Sequence, residues 1–150
     1  MTTSRRRRNS EAGVTLIEML VVVTIIALFA ALVAPRLMKK ADDARRVQAK
    51  AQIESFMTAL GSYKLDTGLY PTTEQGLDAL WREPQSDPRP ANWHGPYLRK
   101  EVPLDPWDHP YVYTAPGEVN PTGYDLLSYG ADGQAGGDGD NADITSWGRQ

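Results

Sequence analysis

Hydrophobic and polar positions divide the chain into stretches of different period. Residues 14–34 are apolar except at Thr15, Glu18 and Thr24, and these 21 positions, at about 1.5 Å each, reach about 31 Å, the depth of a bilayer core. Beyond Pro35 the pattern turns amphipathic. Ala49, Ile53, Phe56, Leu60 and Tyr63 recur at steps of three and four, while Arg45, Arg46, Gln48, Lys50, Gln52 and Glu54 stay polar. The pattern predicts one helix continuing out of the apolar segment, with Pro35 tolerated at a kink between its halves. Gly61, and then Asp66, Thr67 and Gly68, mark its predicted end.

The remainder has no helical period and is punctuated by Pro and Gly. Tyr70 and Pro71 form a turn, after which Thr72 or Thr73 is the predicted N-cap of a short helix with Leu77 and Leu80 inward. Pro84, Pro88, Pro90 and Pro96 exclude regular structure in the stretch that follows. Strand signals come late, at residues 111–113 and 124–128, with Pro116, Gly117 and residues 121–123 as turns between them. The predicted class is therefore α+β: a long N-terminal α-helix, membrane-spanning in its first half, packed by its second half on a small antiparallel β-sheet. No internal repeat is present.

Composition narrows this picture. A chain of 150 residues, 41% hydrophobic and 23% charged, fits one small domain and excludes a collagen-like, fully disordered or polytopic protein. The absence of Cys removes disulfide scaffolds, thiol nucleophiles and zinc ribbons. A net charge of −3 conceals a basic block at Arg5, Arg6, Arg7 and Arg8 and an acidic end at Asp125, Asp132, Asp138, Asp140 and Asp143. Four arginines in a polar leader do not make a basic face, so no nucleic-acid partner is expected. They read as topology: a cytoplasmic N-terminus, with the bulk of the chain outside. A cleavable secretory signal is the competing reading. Its site would fall at Leu32, Val33 and Ala34, where the following Pro35 opposes cleavage. A twin-arginine signal from Arg5 and Arg6 lacks the hydrophobic pair that should follow.

Candidate chemistry is sparse. His94 and His109 lie beside Gly or Pro, with no second imidazole at metal spacing, and both are read as structural. No nucleophile elbow or other catalytic motif occurs, so no enzyme is expected. Trp81, Trp93, Trp107 and Trp147 supply core volume more readily than a sugar platform. Glu18 is unusual, because a carboxylate in an apolar helix needs a partner or an interface. It either pairs with a free terminal amine, such as a Val14 exposed by cutting after Gly13, or reaches to the headgroups. The stretch from Ser128 to Ile144 is too polar and Gly-rich for a helix or strand. Chemistry alone leaves it as a flexible acidic loop or one closed by calcium, an ion that takes six to eight oxygens including backbone carbonyls.

The run Ala12-Gly13-Val14-Thr15-Leu16-Ile17-Glu18-Met19-Leu20 resembles the prepilin cleavage motif of the type IV filament superfamily, with Val14 where that family usually has Phe. Residues 70–77, Asp105-Pro106-Trp107 with Pro110-Tyr111, and Tyr129-Gly130-Ala131-Asp132-Gly133 running to Ala142-Asp143-Ile144 are similar to the major pseudopilins of bacterial type II secretion. Asp108-His109 stands where Gly-Asn is common there, and Tyr129 where Leu is frequent.

The resemblance implies a type IV pilin-like fold with three parts: a leader at 1–13, a transmembrane and polymerisation helix at 14–35, and a periplasmic domain at 36–150. It implies cutting after Gly13 by a prepilin peptidase that also N-methylates Val14, and assembly guided by Glu18. It further implies a structural calcium held by the side chains of Asp132 and Asp143 with carbonyls of Tyr129 and Asn141. Asp138 and Asp140 fall where loop length varies and are left unassigned. The implied partners are further copies in a helical homopolymer, minor pseudopilins and an inner-membrane assembly platform. The implied function is the major structural subunit of an inner-membrane-anchored periplasmic filament that promotes export of folded proteins across the outer membrane. The alternative is a type IV or competence pilin binding surfaces or DNA, against which the missing Cys pair counts. A membrane-anchored hydrolase is the weakest reading.

Overall fold

The computed structural model describes residues 14–148, without the side chains of residues 35–38 and 140. The leader and Gly13 lie outside the described residues. The chain divides into two compact units, Met1–Lys39 and Lys40–Gln150. One helix, α1 (Leu16–Thr67), supplies backbone to both. It remains helical through position 35.

In the first unit every side chain from residue 14 to residue 34 is exposed. An apolar surface this continuous belongs in lipid or against a partner. α1 contains a window long and apolar enough to cross a membrane. Thr24, one of its few polar residues, returns its hydroxyl to the Leu20 carbonyl at 2.8 Å, so the polar group is satisfied within the helix.

In the second unit the predicted stripe of α1 is the core. Ala49, Ile53, Phe56, Ala59, Leu60 and Tyr63 are buried against Leu77, Ala79, Leu80, Tyr113, Leu126 and Ile144. Gly61 does not end the helix. The buried Tyr63 lies beyond it, and packing outweighs the roughly 1 kcal/mol that Gly costs in a helix interior. The end comes at Thr67, where Gly68 adopts φ 84° and its N–H reaches the Lys64 carbonyl at 2.8 Å.

Thr72 and Gln75 cap each other. Thr72 N donates to Gln75 Oε1 at 3.1 Å, and Gln75 N donates to Thr72 Oγ1 at 3.2 Å. They close a turn at residues 73–76 ahead of a 3-10 helix, Leu77–Leu80, whose N-cap is Gly76 without any side-chain bond. Thr72 therefore caps the turn and not the helix, which starts later and is tighter than expected. Leu77 and Leu80 do point inward.

The sheet is antiparallel, in the order β1 (Val112–Thr114), β2 (Asp125–Ser128), β3 (Ile144–Thr145). Tyr113 faces Leu126 and Ser128 faces Ile144, which puts these four on the side packed against α1. Phe56 meets Tyr111 edge to face at 5.1 Å between ring centroids. Burial, and then the nearby Asp105 charge, pushes the Tyr111 phenol up to about 12. The third strand was absent from the sequence expectation, which gave Ile144 to the acidic loop. Trp93 and Trp107 pack against the core, as core-filling tryptophans should.

Candidate functional site

Two regions of the described chain carry polar groups that the fold alone does not require. The first is the start of α1. Thr15 Oγ1 accepts the Glu18 N–H at 3.3 Å, and its carbonyl accepts the Met19 N–H at 3.2 Å. Thr15 therefore caps the helix, and Glu18 sits three residues in, the spacing at which an acidic side chain complements the unpaired N–H groups and positive dipole end. Glu18 and Val14 are both exposed within this unit. The capping role of Thr15 was missed, although Thr-x-x-Glu before an apolar run is a sequence signal for it.

The second region is the acidic C-terminal loop. Strand β2 leads into a 3-10 turn, Gly130–Asp132, with Tyr129 at its N-cap. A second 3-10 turn, Gly139–Asn141, packs against the first and leads into β3. The carboxylates of Asp132 and Asp143 turn back onto the loop: Asp132 Oδ1 accepts from Gln134 N at 3.1 Å, and Asp143 Oδ2 accepts from Gly136 N at 3.0 Å. Asp143 Oδ1 is buried without any hydrogen-bond partner. An orphaned buried carboxylate oxygen is costly, and a cation is one way to satisfy it.

Gly137, at φ 84°, approaches so closely that a Cβ there would lie 2.5 Å from the Asn141 carbonyl oxygen. Only Gly fits that crossing. Asp138 is exposed. Among the described residues no three His, Asp or Glu side chains converge as a metal-binding group. Among the described residues the donors turned onto the loop include the Asp132 and Asp143 carboxylates, with loop carbonyls beside them. Such hard oxygens suit calcium and give a soft metal no ligand.

Beneath this loop lies a buried junction. Asp105, 4% exposed, accepts from Ser128 Oγ at 2.6 Å, from Trp107 N at 3.0 Å and from His109 N at 2.8 Å. Ser128 Oγ in turn accepts from Gly130 N at 3.2 Å. The turn at 105–109 is thereby tied to the first residue of the loop. On the far side of β2, Asp125 gathers Val119 N at 2.7 Å and Asn120 N and Nδ2, both at 3.0 Å. Burial alone would raise the Asp125 carboxyl, but hydrogen bonds from Val119, the Asn120 side chain and backbone, and Glu118 outweigh it and hold it below its usual value. His94 and His109 reach backbone carbonyls, Asn92 O at 3.0 Å and Gly130 O at 3.2 Å.

Comparisons with known proteins bear on the whole chain. The sequence pattern described as "Type II secretion system (T2SS), protein G" matches residues 36–147, and that of the "Prokaryotic N-terminal methylation motif" matches residues 8–34. The type II secretion system core protein G of Pseudomonas aeruginosa is 46% identical over 141 residues, covering 94% of this chain and 98% of the relative. That of Vibrio cholerae is 41% identical over 143 residues, covering 95% of each. The crystal structure of the major pseudopilin from the type 2 secretion system of enterohaemorrhagic Escherichia coli superposes with a TM-score of 0.63 at 36% identity, covering 75% of this chain and 95% of that one. One long helix, apolar in the first part that the methylation motif matches and packed in its second part on a three-stranded antiparallel sheet, is thus found together with relatives matched nearly end to end: the chain belongs to the type II secretion system protein G family.

Proposed function

We infer that the chain works as the major pseudopilin of a type II secretion system, a structural subunit that polymerises into a periplasmic filament promoting export of folded proteins across the outer membrane. One observation carries the reading: the helix that supplies the core of the second unit also presents, over residues 14–34, a run of side chains exposed at every position. In the membrane that surface is stored against lipid. In a filament it exchanges lipid for neighbouring helices, whose association rests on packing and interhelical hydrogen bonds.

Cutting after Gly13 by a prepilin peptidase and N-methyltransferase removes four of the 16 basic and one of the 19 acidic residues and moves the net charge from −3 to −6. It leaves Val14 with a terminal amine one residue before the Thr15 cap. Glu18 of an incoming subunit then neutralises a neighbour's amine in a low-dielectric setting, fixing the axial register of one helix on the next. Minor pseudopilins and an inner-membrane assembly platform complete the partner set, with the N-terminus cytoplasmic and residues 36–150 periplasmic. Calcium orders the C-terminal loop through Asp132 and Asp143, with carbonyls of Tyr129 and Asn141. The orphaned Asp143 oxygen supports this.

Glu18→Ala tests the assembly role. It leaves a processed, membrane-held subunit at normal level while filaments, counted by shearing and immunoblot, fall at least tenfold. Normal filament yield would refute the role of Glu18. Intact mass of the extracted protein reads both the cut and the methyl group.

A further inference from the structure

The cation loop is held from outside at both ends. Between Gly130 and Ala142 the backbone passes through five Gly residues at positive φ, Gly130, Gly133, Gly136, Gly137 and Gly139. Such a segment has little intrinsic preference for one conformation, and closing it costs entropy. At one foot, His109 Nδ1 donates to the Gly130 carbonyl at 3.2 Å. Its ring lies so close over Gly133 that a Cβ there would stand 3.0 Å from ring atoms. At the other foot, Arg46 Nη1, on α1 and 96 residues away in sequence, donates to the Ala142 carbonyl at 2.9 Å.

Neither carbonyl is an assigned calcium ligand, but each is covalently next to one. Gly130 follows Tyr129, and Ala142 lies between Asn141 and Asp143.

We propose that Arg46 and His109 are positioning residues for calcium: they fix the two feet of the loop, so that the ion has to order only the segment between them. The proposal rests on the calcium reading above and adds what sets the affinity. Two effects of Arg46 oppose each other. Its hydrogen bond preorganises the Ala142 peptide, which favours the ion. Its positive charge repels the ion, which disfavours it. The hydrogen bond is short-ranged and joins a charged donor to a half-buried peptide, whereas the repulsion is reduced by water at the exposed loop, so preorganisation prevails.

The test is calorimetric titration of calcium chloride into the mature full-length chain in detergent, with amide hydrogen exchange of residues 130–142 in the absence of calcium. Arg46→Met is expected to weaken calcium about tenfold and to speed exchange in the calcium-free loop. With calcium saturating, exchange returns to the wild-type rate. Arg46→Lys, which keeps a donor and the charge, recovers part of the affinity. His109→Ala weakens calcium several-fold, and the double variant approaches the product of the two, because the feet are separate contacts. A wild-type chain that binds calcium while Arg46→Met and Arg46→Lys bind it equally well, or more tightly, overturns the positioning role and leaves the calcium site standing. A wild-type chain that takes up no calcium overturns both.

Discussion

Removing the Asp105 carboxylate is expected to cause one of the largest losses of stability available outside the hydrophobic core. Asp105→Ala strands the Ser128 hydroxyl, which is fully buried, and two backbone N–H groups, those of Trp107 and His109. A hydrogen bond to a charged group contributes about 1.5–3 kcal/mol. Three are lost, but the N–H groups at a turn regain water, so the expected cost is ~4 kcal/mol, a large part of the ~5–15 kcal/mol that holds a domain of this size. Ser128→Ala loses one bond to the carboxylate and the acceptor for Gly130 N, for ~2 kcal/mol. Asp105→Asn keeps an acceptor for both N–H groups and presents an amide that the Ser128 oxygen can accept, so it falls between wild type and Asp105→Ala. Because the residues touch, the double variant should be less destabilised than the sum by ~1.5 kcal/mol. Urea unfolding of the chain in detergent, followed by tryptophan fluorescence, measures all four corners. Singles that add to within about 0.5 kcal/mol, or an Asp105→Ala cost under about 1 kcal/mol, the size of an ordinary neutral hydrogen bond, would refute the reasoning.

Other consequences are narrower. Asp108 holds φ 65°, where a side chain costs about 1 kcal/mol and Gly almost nothing, so Asp108→Gly should raise the melting temperature by a few degrees; a drop would refute strain at this turn. Asp125 has its carboxyl lowered, so its contribution is complete above the ordinary Asp value and is lost as pH falls through the depressed one. Asp125→Asn should therefore cost stability at neutral pH and flatten the acid limb of a stability–pH curve, and an unchanged limb would show that other carboxylates set it. Phe56→Ala, at a fully buried position, should cost about 3–5 kcal/mol by urea unfolding, and a cost under half that would mean α1 repacks onto the sheet.

What could be read from the sequence was what repeats locally. The stripe from Ala49 to Tyr63 recurs every turn, so each residue reports the same helix face and all five lie buried. The inward Leu77 and Leu80 are legible for the same reason, whereas the Thr72 signal marks a turn one step before the helix, whose N-cap is Gly76. Gly61 misled because its local cost is real but smaller than the packing of Tyr63 beyond it. Strand β3 is two residues long and exists through its pairing with Leu127 and Ser128, a contact that no window around Ile144 contains. The junction of Asp105 with Ser128 spans 23 residues and the bond of Arg46 to Ala142 spans 96; neither has a spacing signature. Asp132 and Asp143 are singled out only by resemblance, since composition alone leaves the loop as well suited to disorder. The structure adds their backbone partners and the orphaned oxygen.

The shortness of the sheet bears on how such a subunit lives among its copies. Its outer strands are three and two residues long, and an unpaired strand edge is a template on which another chain can grow by backbone hydrogen bonds. In the filament proposed above, a subunit held in one membrane and then stacked against its copies meets that hazard constantly. Edges this brief offer too few donors and acceptors to nucleate cross-strand growth. Contact between copies is left to side-chain surfaces, which can be ordered, selective and reversible, and the subunit can crowd without turning into amyloid.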